Sequence, residues 1–227
     1  DVAVLAGALG NRCVREPFTG TAVLAATILA GAQSAQDAVV ESLVAGQARI
    51  ALAHDEPGER YADSAPRHSA LVAGGPGFVL SGQKMMVLDG PTATHFIVTA
   101  QGPEGLTLVL VEDGADGVAR SDYALYDDSR ASDLTLSGVT VGAGQILATG
   151  EAAQALLSLA LDRARVTLAA QSVGSMEAEL EICSAYLKER QQFGHPIGKF
   201  QALQHIMADM FVATHQARSM LYFALSR

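Results

Sequence analysis

Three rhythms of apolar residues follow one another along the chain. From Asp1 to about Ile50, Ala, Leu and Val dominate, with Gly10, Pro17, Gly20, Gly31 and Gly46 as breaks, and the pattern predicts three short helices. Residues 21–30 are nearly all apolar and read as a buried helix too short to span a bilayer; residues 37–43 read as a more exposed one. Between Ala51 and Leu147 the period changes. β-Branched runs separated by Gly, Pro and Asp clusters predict strands at 77–80, 83–88, 95–100, 106–112 and 133–141. Ser81-Gly82 has the chemistry of a two-residue hairpin turn between the first two, and Gly74-Gly75-Pro76-Gly77 that of a turn. After Gly150 the pattern predicts a single helix of roughly 40 residues, near 60 Å long. Val166, Ala169, Val173, Met176, Leu180, Cys183 and Leu187 recur at steps of three and four, the seam of an antiparallel bundle. Residues 201–227 supply its partner helix through Leu203, Ile206, Met210, Ala213 and Leu221. The expected fold is α+β. An N-terminal helical unit (1–50) precedes a small central β-barrel or sandwich domain (51–148) and a C-terminal antiparallel helical bundle (149–227).

Composition narrows the functional classes. The chain has 227 residues, 49% of them apolar, enough for a substantial core, and its net charge is −9 with the Lys and Arg residues dispersed. A nucleic-acid groove is therefore not expected. No uncharged apolar run approaches the roughly 20 residues of a membrane span, and the N-terminus carries no basic signal-peptide head, so membrane insertion is not expected either. Cys13 and Cys183 lie far apart and make neither a zinc site nor a disulfide framework, which points to a reducing cytoplasm. His54 beside Asp55 and Glu56 is too contiguous for metal ligation. No G-x-G-x-x-G or G-x-x-x-x-G-K motif occurs. The chain opens at Asp1 within an apolar run, so further sequence is expected upstream, and it closes on SMLYFALSR in mid-pattern, so further sequence or a covering partner is expected at that end.

The richest stretch is KERQQFGHPIGKFQALQHIMADM, Lys188 to Met210. Gly194 and Pro196 break the long helix there and a second begins at once, which predicts Arg190, Gln192 and Phe193 on the last turn of one helix, close to Phe200 and Gln201 at the start of the next. Arg190 is a permanently charged fork suited to phosphate oxygens, and Phe193 offers a flat face for stacking. The residues allow two readings, a nucleotide-holding corner or a solvated helix end with a buried aromatic plug. ERQQFGHPIGKFQALQHIMADM resembles the signature of the acyl-CoA dehydrogenase family, flavoenzymes that introduce a double bond between the α and β carbons of an acyl-CoA thioester. The order of helices, β domain and long helices resembles that family too.

The resemblance carries specific expectations. It implies FAD, with Arg190, Gln191, Gln192, Phe193, Phe200 and Gln201 meeting the pyrophosphate and adenine of a flavin held by a neighbouring subunit, and hence a homodimer, tetramer or heteromer with another acyl-CoA dehydrogenase chain. Asp162-Arg163-Ala164-Arg165 matches the segment that touches the CoA part of the substrate, which makes Asp162 and Arg165 substrate-binding candidates; an intrahelix Asp162–Arg165 pair is the alternative. Two flavin loops depart from the family pattern. Where the family has Thr-Glu-Pro and then Ala-Gly-Ser-Asp, this chain reads Asp55-Glu56-Pro57-Gly58-Glu59-Arg60-Tyr61; where the family has Trp-Ile-Thr-Asn, it reads Met86-Val87-Leu88-Asp89. Met86 and Leu88 thus take the places of a stacking ring and a hydroxyl donor. The family's general base, a Glu, lies either beyond Arg227 or at the position of Ala164, so no catalytic residue is assigned. The implied function is FAD-dependent α,β-dehydrogenation of an acyl-CoA; the alternative is a non-catalytic subunit that completes a flavin site on another chain.

Overall fold

The computed structural model describes residues 1–34, 36–58 and 66–226, which form two compact units, Pro17–Ala164 and a second that joins Asp1–Glu16 to Arg165–Arg227. In chain order come α1 (Val2–Asn11), a π-helical segment Phe18–Ala25 leading into α2 (Ala26–Ala30), and α3 (Asp37–Val44). Strands β1 (Ile50–Ala53), β2 (Ala70–Gly74), β3 (Gly77–Leu88), β4 (His95–Gly102), β5 (Gly105–Glu112), β6 (Val118–Ala124), β7 (Arg130–Val141) and β8 (Ile146–Thr149) follow. The chain ends with α4 (Gly150–Glu189), a two-rung hairpin of β9 (Gln191–Gln192) and β10 (His195–Pro196), and α5 (Gln201–Leu225). The α+β class matches the pattern reading. Among the described residues no helix is long and apolar enough to cross a membrane.

In the unit Pro17–Ala164 the strands form one sheet in the order β6-β7-β3-β2-β4-β5-β8, with β1 parallel to β4. Burial on both faces explains why β4 and β5 are mainly apolar at odd and even positions alike. Phe96, Val98, Ala100, Val109 and Val111 face a cluster closed by β3 and β7 through Leu80, Val87, Leu134 and Val141. Ile97, Leu106, Leu108 and Leu110 face another cluster, made with Leu24, Ile28 and the first turns of α4, including Leu156 and Leu157. Both faces of these strands are buried, so both carry mainly apolar residues, with Thr99 and Thr107 as buried exceptions. Since β5 pairs with the whole of β4, β1 and β2 share its other side end to end: Ile50 to Ala53 oppose His95 to Val98, and Ala70 opposes Gln101. The chain therefore leaves this edge after Ala53 and rejoins it at Ala70.

Ser81-Gly82 is not a hairpin turn. β3 runs through it unbroken, and the reversal lies at Gly75-Pro76, within the predicted Gly74–Gly77 turn, where Gly74 pairs with Gly77. Glycine at 82 answers a different demand: φ is +155° and a Cβ would stand 2.5 Å from the Ser69 Cα. Strands β1, β2, β6 and β8 were absent from the pattern reading. Within β6, Arg120, Ser121 and Asp122 replace the apolar residues by which a strand is recognised.

In the other unit, α1 packs on α4 at glycine-level separation. A Cβ on Gly10 would lie 1.9 Å from the Gln171 carbonyl oxygen and one on Gly174 2.0 Å from that of Gly7. Ser175 Oγ donates to Gly10 O at 2.9 Å. The seam differs from the expected one by single residues. Ala169 is exposed and Ala170 buried; on α5 Ile206 and Ala213 are exposed, while Met207 and Thr214 turn inward. Leu203, Met207, Met210, Thr214, Ala217 and Leu221 keep steps of four and three, and a shift of one residue is about 100° of rotation, enough to leave the stripe. Arg218 Nε donates to Glu177 Oε1 at 2.8 Å, tying the returning α5 to α4.

Candidate functional site

The elbow after α4 is a β-hairpin, which corrects the expectation that Arg190, Gln192 and Phe193 continue the helix. Gln192 pairs with His195 and Gln191 with Pro196, and the two-residue loop is Phe193-Gly194 with φ of +54° and +83°. Positive φ at both positions is the condition for a tight primed turn, and Gly194 meets it freely. Phe193 does not: a bulky residue in the left-handed region is strained. The hairpin is closed by Ile197 N–H donating to Arg190 O at 2.8 Å.

That turn lifts Phe193 into the open, where 88% of its surface is exposed, so it is no buried plug. Its ring meets Phe200 edge-on, with centroids 6.0 Å apart and planes at 88°. Phe200 caps α5, accepting the N–H groups of Leu203 and Gln204, and His195 lies against it at 4.9 Å. His195 was not singled out from the sequence; the hairpin brings it here by pairing it with Gln192. Arg190, Gln192 and Gln201 are all exposed on this segment. Arg190 and an unshielded phenyl ring thus stand on one hairpin, the side-chain types that meet a phosphate and a planar ring.

In the β unit, the two loop segments singled out by sequence lie side by side. Met85 N–H donates to Asp55 O at 2.9 Å. Beneath them sits a fully buried ion pair, Lys84 Nζ to Glu56 Oε1 at 2.8 Å. Lys84 also donates to His54 O and Thr99 Oγ1, each at 3.1 Å, while Glu56 accepts the N–H groups of Arg67, His68 and Ser69 at 2.7, 2.7 and 2.9 Å. Glu56 therefore closes the excursion between β1 and β2. Burial pushes its carboxyl up, but hydrogen bonds from Lys84, Ser69 and the His68 N–H, with the charge of Lys84, outweigh it and hold the pKa at about 2. A carboxylate so enclosed has no proton-abstracting role. Glu59, Arg60 and Tyr61 lie outside the described residues.

Immediately after Lys84, β3 bulges. Lys84 faces Leu134 and Val87 faces Ser132, so three steps on β3 match two on β7, and Met86 takes φ of +51°. Met86 and Leu88 both point outward, 51% and 53% exposed, on either side of the buried Val87. They form an apolar, donor-free wall. Asp162 and Arg165 are exposed on α4, Arg163 Nη1 donates to Thr27 Oγ1 at 3.3 Å, and Ala164 between them is buried.

Comparison with known proteins supplies the family. The family model for "Acyl-CoA dehydrogenase, C-terminal domain" matches residues 154–227. Isovaleryl-CoA dehydrogenase, mitochondrial, of Arabidopsis thaliana is 30% identical over 231 aligned positions, covering 98% of this chain and 54% of that protein. The ChsE4-ChsE5 complex from Mycobacterium tuberculosis superposes with a TM-score of 0.85 at 27% identity, over 99% of this chain and 60% of that one. PigA with FAD and proline gives 0.87 at 26% identity, over 97% and 61%. The chain spans about half the length of that dehydrogenase. With 30% identity to that dehydrogenase over 98% of its own length and a C-terminal segment that matches the family model, the chain belongs to the acyl-CoA dehydrogenase family.

Proposed function

We propose that this chain is part of an FAD-dependent oxidoreductase that dehydrogenates an acyl-CoA thioester between its α and β carbons. The observation that carries this is the hairpin at 190–196, which holds Phe193 exposed and strained beside Arg190. Strain of this kind persists where the surroundings impose it and is concentrated at ligand sites. The residues fit a flavin dinucleotide. Arg190, Gln192, Phe193, Phe200 and Gln201 supply charge and rings for its adenine and pyrophosphate end, and the Met86 and Leu88 wall suits a flat ring system. When bound, FAD supplies the hydride acceptor. Asp162 and Arg165 are assigned to the CoA moiety, where Arg165 offers a fork for a phosphate or carbonyl.

In this reading the division at residues 50 and 148 separates a helical domain, a β domain facing the flavin ring and a helical bundle that presents the 190–201 corner to a flavin of a neighbouring subunit. An oligomer, homomeric or with another chain of the family, follows. Its support is the exposed apolar surface of α5 at Ile206, Phe211, Met220 and Tyr222, and the paired assembly of ChsE4-ChsE5. A reducing, cytoplasmic setting suits the free Cys13 and Cys183. A purely non-catalytic partner role is the weaker reading, because the relatives are named as dehydrogenases. Purified full-length protein should show flavin absorbance that bleaches on adding acyl-CoAs; a colourless, unresponsive protein would overturn the proposal.

A further inference from the structure

Met86 and Leu88 form a wall only because of a single extra residue. Counting inward from Lys84, an unbroken strand would bury positions 86 and 88 and expose 87; the bulge reverses this, burying Val87 and turning Met86 and Leu88 out. The extra residue leaves a backbone N–H without a ladder partner and places Met86 in the left-handed region, so the bulge needs a local lock.

The lock is a side chain of β7. Asp133 Oδ1 accepts the Met86 N–H at 3.1 Å and the Tyr123 hydroxyl at 2.8 Å. Asp133 lies between Ser132 and Leu134, the two residues that bracket the bulge. Tyr123 is half-buried on β6 and pairs with Ala131. Burial, then the Asp133 carboxylate, push its phenol above its usual range, so it stays a donor at working pH. Three adjacent strands thus meet at one carboxylate oxygen.

We propose that Asp133, oriented by Tyr123, is a positioning residue: by holding the Met86 N–H it keeps β3 in the bulged register that presents Met86 and Leu88 as one flat apolar face to a bound flavin ring. The role in flavin binding rests on the function proposed above; the register lock does not.

The test uses the full-length protein with Asp133→Leu, Asp133→Asn and Tyr123→Phe. Asp133→Leu should raise the FAD dissociation constant about tenfold, as for one lost hydrogen bond to a charged group, and move the visible flavin band. Hydrogen exchange at the Met86 amide should accelerate in the same variant. Asp133→Asn keeps an acceptor oxygen and should recover most of both losses; Tyr123→Phe should shift the band the same way by less, and decides the matter if Asp133→Leu does not fold. Unchanged flavin affinity and band in folded variants, with only the unfolding midpoint lowered, would overturn the positioning role. Should the wild type hold no flavin, the proposed function falls instead; the exchange measurement then decides the lock, and unchanged Met86 exchange overturns it.

Discussion

At the scale of single residues, a buried charge pair and a strained phenylalanine carry different kinds of stress. Glu56 and Lys84 are fully buried charges that depend on each other, so removing one leaves the other uncompensated. Lys84→Met should cost about 3–5 kcal/mol in urea unfolding, and the double variant with Glu56→Gln less than the sum of the two singles. The pH dependence has a definite sign. Folding lowers the Glu56 pKa from 4.5 to about 2, so the unfolded chain binds the proton more readily between those values. Its contribution is whole above about pH 4.5 and is lost as pH falls toward 2; Glu56→Gln should flatten that slope in acid titrations followed by circular dichroism. Phe193 stores backbone strain instead, at φ of +54°. Phe193→Gly removes a left-handed penalty of roughly 1–2 kcal/mol while adding unfolded-state entropy, so the unfolding midpoint should hold or rise. The same change deletes a stacking face, and FAD affinity should drop about tenfold, consistent with the roughly 1–3 kcal/mol of ring stacking. Affinity unchanged on losing the ring would remove Phe193 from the site.

At the scale of elements, the close crossing of α1 on α4 depends on missing Cβ atoms. Gly174→Ala would drive a methyl group to 2.0 Å from the Gly7 carbonyl oxygen, backbone against backbone, with no flexible side chain to give way. Its cost should be about 1–3 kcal/mol, read as a lowered urea midpoint. Gly46→Ala would meet no atom within 4 Å, although its φ of +72° disfavours the change, so comparing the two separates steric from conformational cost. The hairpin of β9 and β10 shows how local rules compete. A helix stop was legible from Gly194 and Pro196, but a pair of two-residue strands has too little pattern to be read from sequence. The primed turn would have been visible had residue 193 been Asn or Gly; a phenylalanine there hides it.

At the scale of the whole molecule, the exposed apolar residues of α5 bear on the proposed assembly. Ile206 and Met220 are more than half exposed, as are Phe211 and Tyr222, which is costly for a surface facing water. Sedimentation velocity should report an oligomer. Joint Ile206→Asp and Met220→Asp substitution should lower its mass while leaving helicity intact, and flavin retention should fall with it if the 190–201 corner serves a neighbouring subunit. An unchanged mass would place the subunit contact elsewhere.

Periodicity alone settled the helix after Gly150, the change to strands near residue 50 and the α+β class, because burial of long amphipathic segments is dictated by local spacing. The motif around Phe193 marked the corner to which the proposed site is assigned, because a guanidinium and an aromatic ring are recognisable by type wherever they lie. Only the tertiary structure decided the rest. The Glu56–Lys84 pair, the Asp133 lock and the displaced seam on α5 join residues far apart in sequence, or turn on a rotation of about 100°. One extra residue in β3 determines which side chains face outward, and that offset is set by the opposing strand, which no pattern internal to β3 can encode.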